Sequence, residues 1–378
     1  MKARVLILGA GFGGLELTAS LAERFGTGID ITLIDRREYF VFGFSKLDVM
    51  FGKQTATQVS HPYSRINKPG VRFVRTTVLS IDPQNKRVET DSGVYEADYL
   101  VLALGADLDP SATPGLTEDG HEYYTNAGAF AVRDVLAGFG GGRVVIGVTS
   151  APFKCPPAPS ETALLMHEYL TDRGLRTGSE IALVMPMPAP VPPLPAASEA
   201  LLAAFAERGI EWHPQRMITR LDPDAHEVVF ADDSTMPYDL FLGVPKHVAP
   251  TVVSESGLTV DGWVPVDPLT LQTTRPNVYA IGDVTSVGTP KAGVFAEGQA
   301  SVVADSLSAH ITSDNNTRTY DGNGICYVEF GNHRAGRVDV TFAAGQAPFG
   351  HFDTATETIA TEKDEYGTSR LQRWIGAA

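Results

Sequence analysis

Cys155 and Cys326 are the two cysteines of a 378-residue chain. Cys155 lies in Phe153-Lys-Cys-Pro-Pro-Ala-Pro-Ser-Glu161, a proline-framed loop, and Cys326 heads Cys-Tyr-Val-Glu-Phe330. Two thiols can trade an electron pair as dithiol and disulfide. They cannot build a disulfide scaffold or a thiol-only zinc site. A cysteine taken alone is more often a small buried hydrophobe. A second group of residues suits anions rather than electrons. Residues 4–14 read Arg-Val-Leu-Ile-Leu-Gly-Ala-Gly-Phe-Gly-Gly, in which Gly9, Gly11 and Gly14 fit G-x-G-x-x-G. Glycines there let the backbone approach a pyrophosphate, and the N-terminus of the next helix stabilises its charge.

These residues need a parallel sheet to hold them. Val5–Leu8 reads as a buried strand, and a helical pattern follows through Leu15, Leu17, Ala19, Leu21 and Ala22. A second strand, 29–34, ends in Asp35, placed to hold ribose hydroxyls. Two later apolar strands end in glycine: Tyr99-Leu-Val-Leu-Ala-Leu-Gly105 and Val278-Tyr-Ala-Ile-Gly-Asp283. Open α/β sheets bind ligands at the carboxyl ends of their strands, so Asp283 stands where it can accept a hydrogen bond from a flavin's ribityl chain. Taken alone, Asp283 reads equally well as a helix N-cap.

Residues 71–105 and 210–245 resemble each other. Asp82-Pro83 reappears as Asp222-Pro223, and Asp91-Ser92 as Asp233-Ser234. Each stretch reads as alternating strands, a turn and a final apolar strand, the β-meander that closes a nucleotide-binding unit. The expected fold is α/β: two Rossmann-like dinucleotide-binding units of three-layer ββα type, the second inserted in the first, plus a small C-terminal α+β unit. The expected boundaries are 1–117 with 245–315, then 118–244, then 316–378. In the last unit, strands are expected over 325–330 and 337–342, followed by a closing helix.

Strand, glycine and acid motifs together resemble the two-dinucleotide-domain flavoproteins of the glutathione-reductase superfamily. That resemblance implies FAD lined by Gly9, Gly11, Gly14, Asp35, Ala103, Gly105, Gly282 and Asp283, with further contacts at Phe12, Gly13, Arg36, Val78, Lys291 and Ala292. The second unit carries no glycine fingerprint. The loop after its first strand, 143–147, holds Pro152, Pro156, Pro157 and Pro159, which lack the N–H groups a pyrophosphate needs. The loop after its second strand runs from Pro186 to Pro195. NAD(P)H in the usual slot is therefore not expected.

The cysteine loop, together with Thr289-Pro-Lys-Ala-Gly293 and Ala296-Glu-Gly-Gln299, resembles the sulfide:quinone oxidoreductases and flavocytochrome c sulfide dehydrogenase flavoproteins. The resemblance implies that Cys155 and Cys326 flank the flavin and carry the sulfur being oxidised. It implies that Lys291 meets the negative charge at the edge of the reduced flavin, and that electrons pass to a quinone or a small redox protein. With no third cysteine to spare, FAD is expected to be non-covalent. Two alternatives are an NADH:quinone reductase of the type II NADH dehydrogenase kind and a non-catalytic flavin redox sensor.

Glu161 reads as an acid of a helix N-terminus, though it could take a proton near Cys155. Tyr39–Phe44 is either a cofactor wall or core. Arg370–Ile375 is expected to dock on the protein's own core or a dimer mate. The nine histidines show no metal-ligand spacing, and no metal is expected. With 30 Lys+Arg against 45 Asp+Glu, the net charge of −15 argues against nucleic acid, which selects a basic face. No run of about 18 apolar residues offers a membrane span. A cytoplasmic protein, peripheral to the membrane at most, and a homodimer are the remaining expectations.

Overall fold

A computed structural model of the chain describes residues 2–314 and 318–376. The expected boundary between 315 and 316 lies outside the described residues. Two five-stranded parallel sheets organise the protein. The first runs in the order Val278–Ala280, Tyr99–Leu102, Arg4–Leu8, Asp30–Asp35, Val71–Arg75. The second runs His121–Glu122, Leu240–Val244, Arg143–Val148, Glu180–Val184, Ile210–His213. Their central strands are apolar at nearly every position because helices or meanders cover both faces. The strand Val278–Ala280 returns to the first sheet after the whole second sheet has been traced, so the second unit is inserted in the first.

The repeat read from the sequence is a repeat of structure. A three-stranded antiparallel meander, 78–96, pairs Ile81 with Val88, and its counterpart, 218–237, pairs Leu221 with Val228. These branched side chains are buried against their own sheets. The C-terminal part holds three antiparallel strands, Asn323–Gly331, Arg334–Thr341 and Phe349–Thr356, and the helix Glu357–Ile375. The third strand was not expected. Its Phe-Gly-His-Phe-Asp-Thr-Ala-Thr sequence is largely exposed and mixes polar with apolar, so it lacks a strand's alternation.

Trp374 docks this last helix onto the body. It is fully buried, its Nε1–H donates to Glu16 Oε2 at 2.7 Å, and its ring stacks at 6.1 Å on Phe42. Arg373 adds an ion pair to Glu16 at 2.9 Å. Arg370–Ile375 thus packs on the protein's own core. Among the described residues, no helix is long and apolar enough to cross a membrane.

Candidate active site

Four motifs meet because their strands are neighbours. Gly9, Asp35, Ala103 to Gly105 and Gly282-Asp283 all follow, or end, adjacent strands of the first sheet at their carboxyl ends. Gly9 has φ +101° and a Cβ there would lie 2.3 Å from Ala103 O. A Cβ on Gly14 would lie 1.9 Å from Gly9 O. These two glycines seal the helix Phe12–Phe25 against the sheet. Around Gly11 the reverse holds: a Cβ would meet nothing within 4 Å, and Gly11 is the helix N-cap with no capping side chain. Free N–H groups therefore face open space, the cradle an anionic pyrophosphate requires.

Asp35 is buried and accepts from Ala10 N at 2.8 Å and Arg37 N at 2.8 Å, while the Arg37 guanidinium pairs with it at 3.0 Å. Burial works to raise its carboxyl, but Arg37 outweighs this and holds it below the usual range. The basic residue on Asp35 is Arg37. Arg36 points out to Asp107 at 3.5 Å. The ring of Phe12 packs edge-on against Phe40, Phe42 and Trp374, so only its backbone faces the cradle. Tyr39–Phe44 is correspondingly core, with Phe40 and Phe42 buried. Val78 packs half-buried beside the buried Ile34 group, Gly13 lies against Ile281, and Ala292 is the N-cap of the helix Gly293–Thr312.

Asp283 follows the strand Val278–Ala280. Its carboxylate makes no hydrogen bond among the described residues, and burial raises it. Lys154, Lys291 and Lys46 surround it and work in the opposite sense. The backbone beside it is fixed by Gln299, whose Oε1 accepts from Gly282 N at 2.6 Å. An unpartnered carboxylate, an open anion cradle and a ring of lysines fit FAD: ribityl hydroxyls for Asp283, pyrophosphate for Gly11 to Gly14.

Lys291 departs from the expected pose. Its ammonium donates to the carbonyl oxygens of Asp283 at 2.6 Å and Thr285 at 3.2 Å and sits 3.2 Å over the Trp263 ring. Burial drops it to about 8. Its backbone does other work: Lys291 O accepts from Cys155 N at 2.7 Å, and the two segments bridge at Lys154 and Lys291. The cysteine loop is thereby sewn to the segment that precedes the helix Gly293–Thr312. Cys155 itself is held at φ +48°, a strained conformation for a side chain with a Cβ.

Both thiols are free. Cys155 is open to solvent yet crowded by protein. Burial pushes its thiol well up, and Glu161 and Cys326 add to this. Cys326 is half-buried and pushed to about 12 by burial, then by Glu161. The two cysteines therefore lie within each other's field and share that of one carboxylate. Lys46 is the cation that favours the Cys155 thiolate. It reaches in from the helix Ser45–Met50 and donates to Tyr124 O. Lys154 instead turns to Ala106 O at 3.0 Å.

Sequence reading missed Lys46 and undervalued Glu161. Glu161 does sit in the first turn of the helix Ala158–Asp172, but it is only 3% exposed. The signal was available: it is the one acid in an otherwise apolar or small-residue stretch, Ala158 to Met166. An open groove of about 580 Å³ runs between the helix Gly293–Thr312, the strand Asn323–Gly331 that carries Cys326, and the C-terminal helix. Val294, Ile325, Tyr327 and Tyr366 line it together with Glu297 and Arg370.

The sequence pattern of the pyridine nucleotide-disulphide oxidoreductases matches residues 3–301. The chain belongs to that family. It is an FAD-dependent oxidoreductase, with FAD held non-covalently, and the expected pair of Rossmann-like units is the family's architecture. The mitochondrial sulfide:quinone oxidoreductase of Mus musculus is 26% identical over 371 residues, covering 94% of this chain and 82% of the mouse protein. The crystal structure of the sulfide:quinone oxidoreductase from Aquifex aeolicus superimposes with a TM-score of 0.87 at 23% identity, over 100% of this chain and 93% of that one. A type II NADH:quinone oxidoreductase of Staphylococcus epidermidis is 35% identical, but over 137 residues and 36% of this chain.

Proposed function

We propose that this oxidoreductase oxidises sulfide, or a related thiol or persulfide, through Cys155 and Cys326 and passes the electrons to a quinone. The observation that carries the reading is the placement of two cysteines, 171 positions apart in sequence, around one buried carboxylate: Glu161, six residues after Cys155, accepts from Glu329 N on the strand that carries Cys326, and Cys155 N is bound to Lys291 O. The names of the mouse and Aquifex relatives support the substrate and the acceptor.

When bound, the flavin supplies a two-electron acceptor. The chain's own groups supply the sulfur chemistry. Hydrosulfide opening a Cys155–Cys326 disulfide breaks the S–S bond and forms a new one, leaving a persulfide on one cysteine and a thiolate on the other. The thiolate is the electron-rich sulfur from which a bound flavin would take the electron pair. Lys46 favours that charge at Cys155. Tyr327, Tyr366 and Ile325 give the groove near Cys326 aromatic and apolar walls suited to a quinone ring.

NADH as donor is disfavoured by the second unit. Its phosphate-binding position holds the cysteine loop, and the helix that follows starts with proline at its first turn. The domain boundaries, a homodimer and a cytoplasmic or membrane-peripheral location belong to the proposal as well. The test is anaerobic mixing of the yellow holoenzyme with sulfide and, separately, with NADH. Bleaching of the flavin by sulfide supports the reading; bleaching by NADH alone overturns it in favour of the NADH dehydrogenase kind.

A further inference from the structure

Four charged side chains from four elements meet behind the cysteines. Glu161 Oε1 accepts the backbone N–H of Glu329 at 2.9 Å, and Glu329 lies on the strand that carries Cys326. Lys363 comes down from the C-terminal helix, hydrogen-bonds the Glu329 carboxylate with its side chain 4% exposed, and lies 4.5 Å over the Phe44 ring. Asp48, on the helix Ser45–Met50, completes the group. Other titratable groups facing Glu161 are Cys155 on its own loop, Cys326 on the strand, and Tyr123 and Tyr124 ahead of the helix Asn126–Gly138.

The proton balance of the cysteine pair needs such a cluster. Hydrogen sulfide that opens the S–S bond leaves a persulfide, a thiolate and one proton. Linking the two cysteines again through the added sulfur gives up two electrons and the persulfide's proton, which a bound flavin would take, so the proton shed when hydrogen sulfide enters must leave. Neither thiol ionises readily by itself in this setting. A carboxylate beside both can receive the proton only if it is itself ionised. Three buried carboxyls without a cation would repel one another and stay protonated. Lys363 is the one cation hydrogen-bonded into the cluster among the described residues.

We propose that Lys363, pinned by Glu329, is the positioning residue that lets Glu161 stand ionised beside the cysteine pair and take up its released proton. The C-terminal helix is then part of the acid–base machinery. This rests on the reading that the cysteine pair exchanges electrons with the flavin. Burial carries the Glu161 carboxyl up to about 7 and the Lys363 charge opposes further rise, so the proton acceptor works near neutrality.

The experiment follows flavin bleaching by sulfide in the holoenzyme as a function of pH. In the wild type the rate rises through an inflection near 7, the value for Glu161. Lys363→Gln removes the opposing charge, so the inflection moves to higher pH by about one unit or more, and bleaching at neutral pH slows about tenfold and recovers in alkali. Lys363→Arg keeps the charge and restores the wild-type profile. Glu161→Gln keeps only the inflection that belongs to the ionisation of hydrogen sulfide itself. Lys363→Met replaces Lys363→Gln if the latter fails to retain flavin. An inflection that stays put in Lys363→Gln or Lys363→Met overturns the proposal. An infrared titration of the protonated-carboxyl band that Glu161→Gln removes gives the same decision without turnover: its midpoint rises when Lys363 is neutralised, or the proposal fails. If sulfide never bleaches the wild-type flavin, the sulfide reading falls and the infrared result alone decides this one.

Discussion

Cys155 donates its backbone N–H to the carbonyl of Lys291 at 2.7 Å. A thiol from the inserted unit is thereby placed against a segment that belongs to the first. The position of the cysteine loop is set across a junction between two sheets, and neither unit holds it alone. The strained φ of Cys155 is maintained by this bond and by the bond its own carbonyl accepts from Ala158 N at 2.9 Å.

Cys155→Ser is expected to abolish bleaching of the flavin by sulfide while FAD stays bound, and Cys326→Ser to do nearly the same. Serine is close in size but its hydroxyl is far less acidic than a thiol, so the nucleophile is lost and the packing kept. Stopped-flow absorbance of the two variants checks this. Sulfide turnover at the wild-type rate in either would reduce that cysteine to a packing residue.

The reduced protein should show ordered thiol reactivity. Cys155, open to solvent, is alkylated first, and half-buried Cys326 later. Because Cys326 is pushed to about 12, the neutral thiol dominates at ordinary pH, and its alkylation rate should climb about tenfold per pH unit with no plateau in the neutral range. Peptide mapping after timed alkylation measures both. A Cys326 that reacts faster than Cys155, or whose rate is flat with pH, contradicts the placement.

Gly11→Ala and Gly14→Ala separate cofactor contact from packing. Alanine at 11 meets no atom of the protein, so the apoprotein should melt within a few degrees of wild type while flavin content falls. Alanine at 14 drives a Cβ to 1.9 Å from Gly9 O, so the fold itself should suffer. Melting curves and flavin-to-protein absorbance ratios distinguish the two. Full flavin in Gly11→Ala would mean that no phosphate runs past this residue.

Asp283→Ala should lower FAD affinity by roughly ten- to a hundredfold, the loss expected of a charge-assisted hydrogen bond worth about 1.5–3 kcal/mol. Acid precipitation of the wild type should release all of the colour into the supernatant, as non-covalent binding requires. Colour in the pellet would show a covalent bond, and undiminished flavin content in the variant would remove Asp283 from the site.

Much of this was legible because it is local. A strand ending in glycine or acid announces itself in a few consecutive residues, so Gly9 to Gly14, Asp35 and Gly282-Asp283 could be placed from sequence, and the repeat showed through Asp-Pro and Asp-Ser landmarks. What stayed hidden depends on long-range approach. Lys363 lies in Thr-Glu-Lys-Asp-Glu, which reads as solvated surface, and only the docking of its helix turns it inward onto Glu329. The ammonium of Lys291 was expected to meet the cofactor, and only the fold shows it bent back onto Asp283 O. Arg37 rather than Arg36 covers Asp35 because side-chain direction after the strand end is not written in residue order.

The bond from Trp374 to Glu16 joins residues 358 positions apart. That bond ties the helix Phe12–Phe25, whose N-terminus frames the anion cradle, to the helix Glu357–Ile375. Losing the indole would uncover the Phe12–Phe42 pair and take one donor from Glu16, so a change at residue 374 is felt by the helix that frames the cradle.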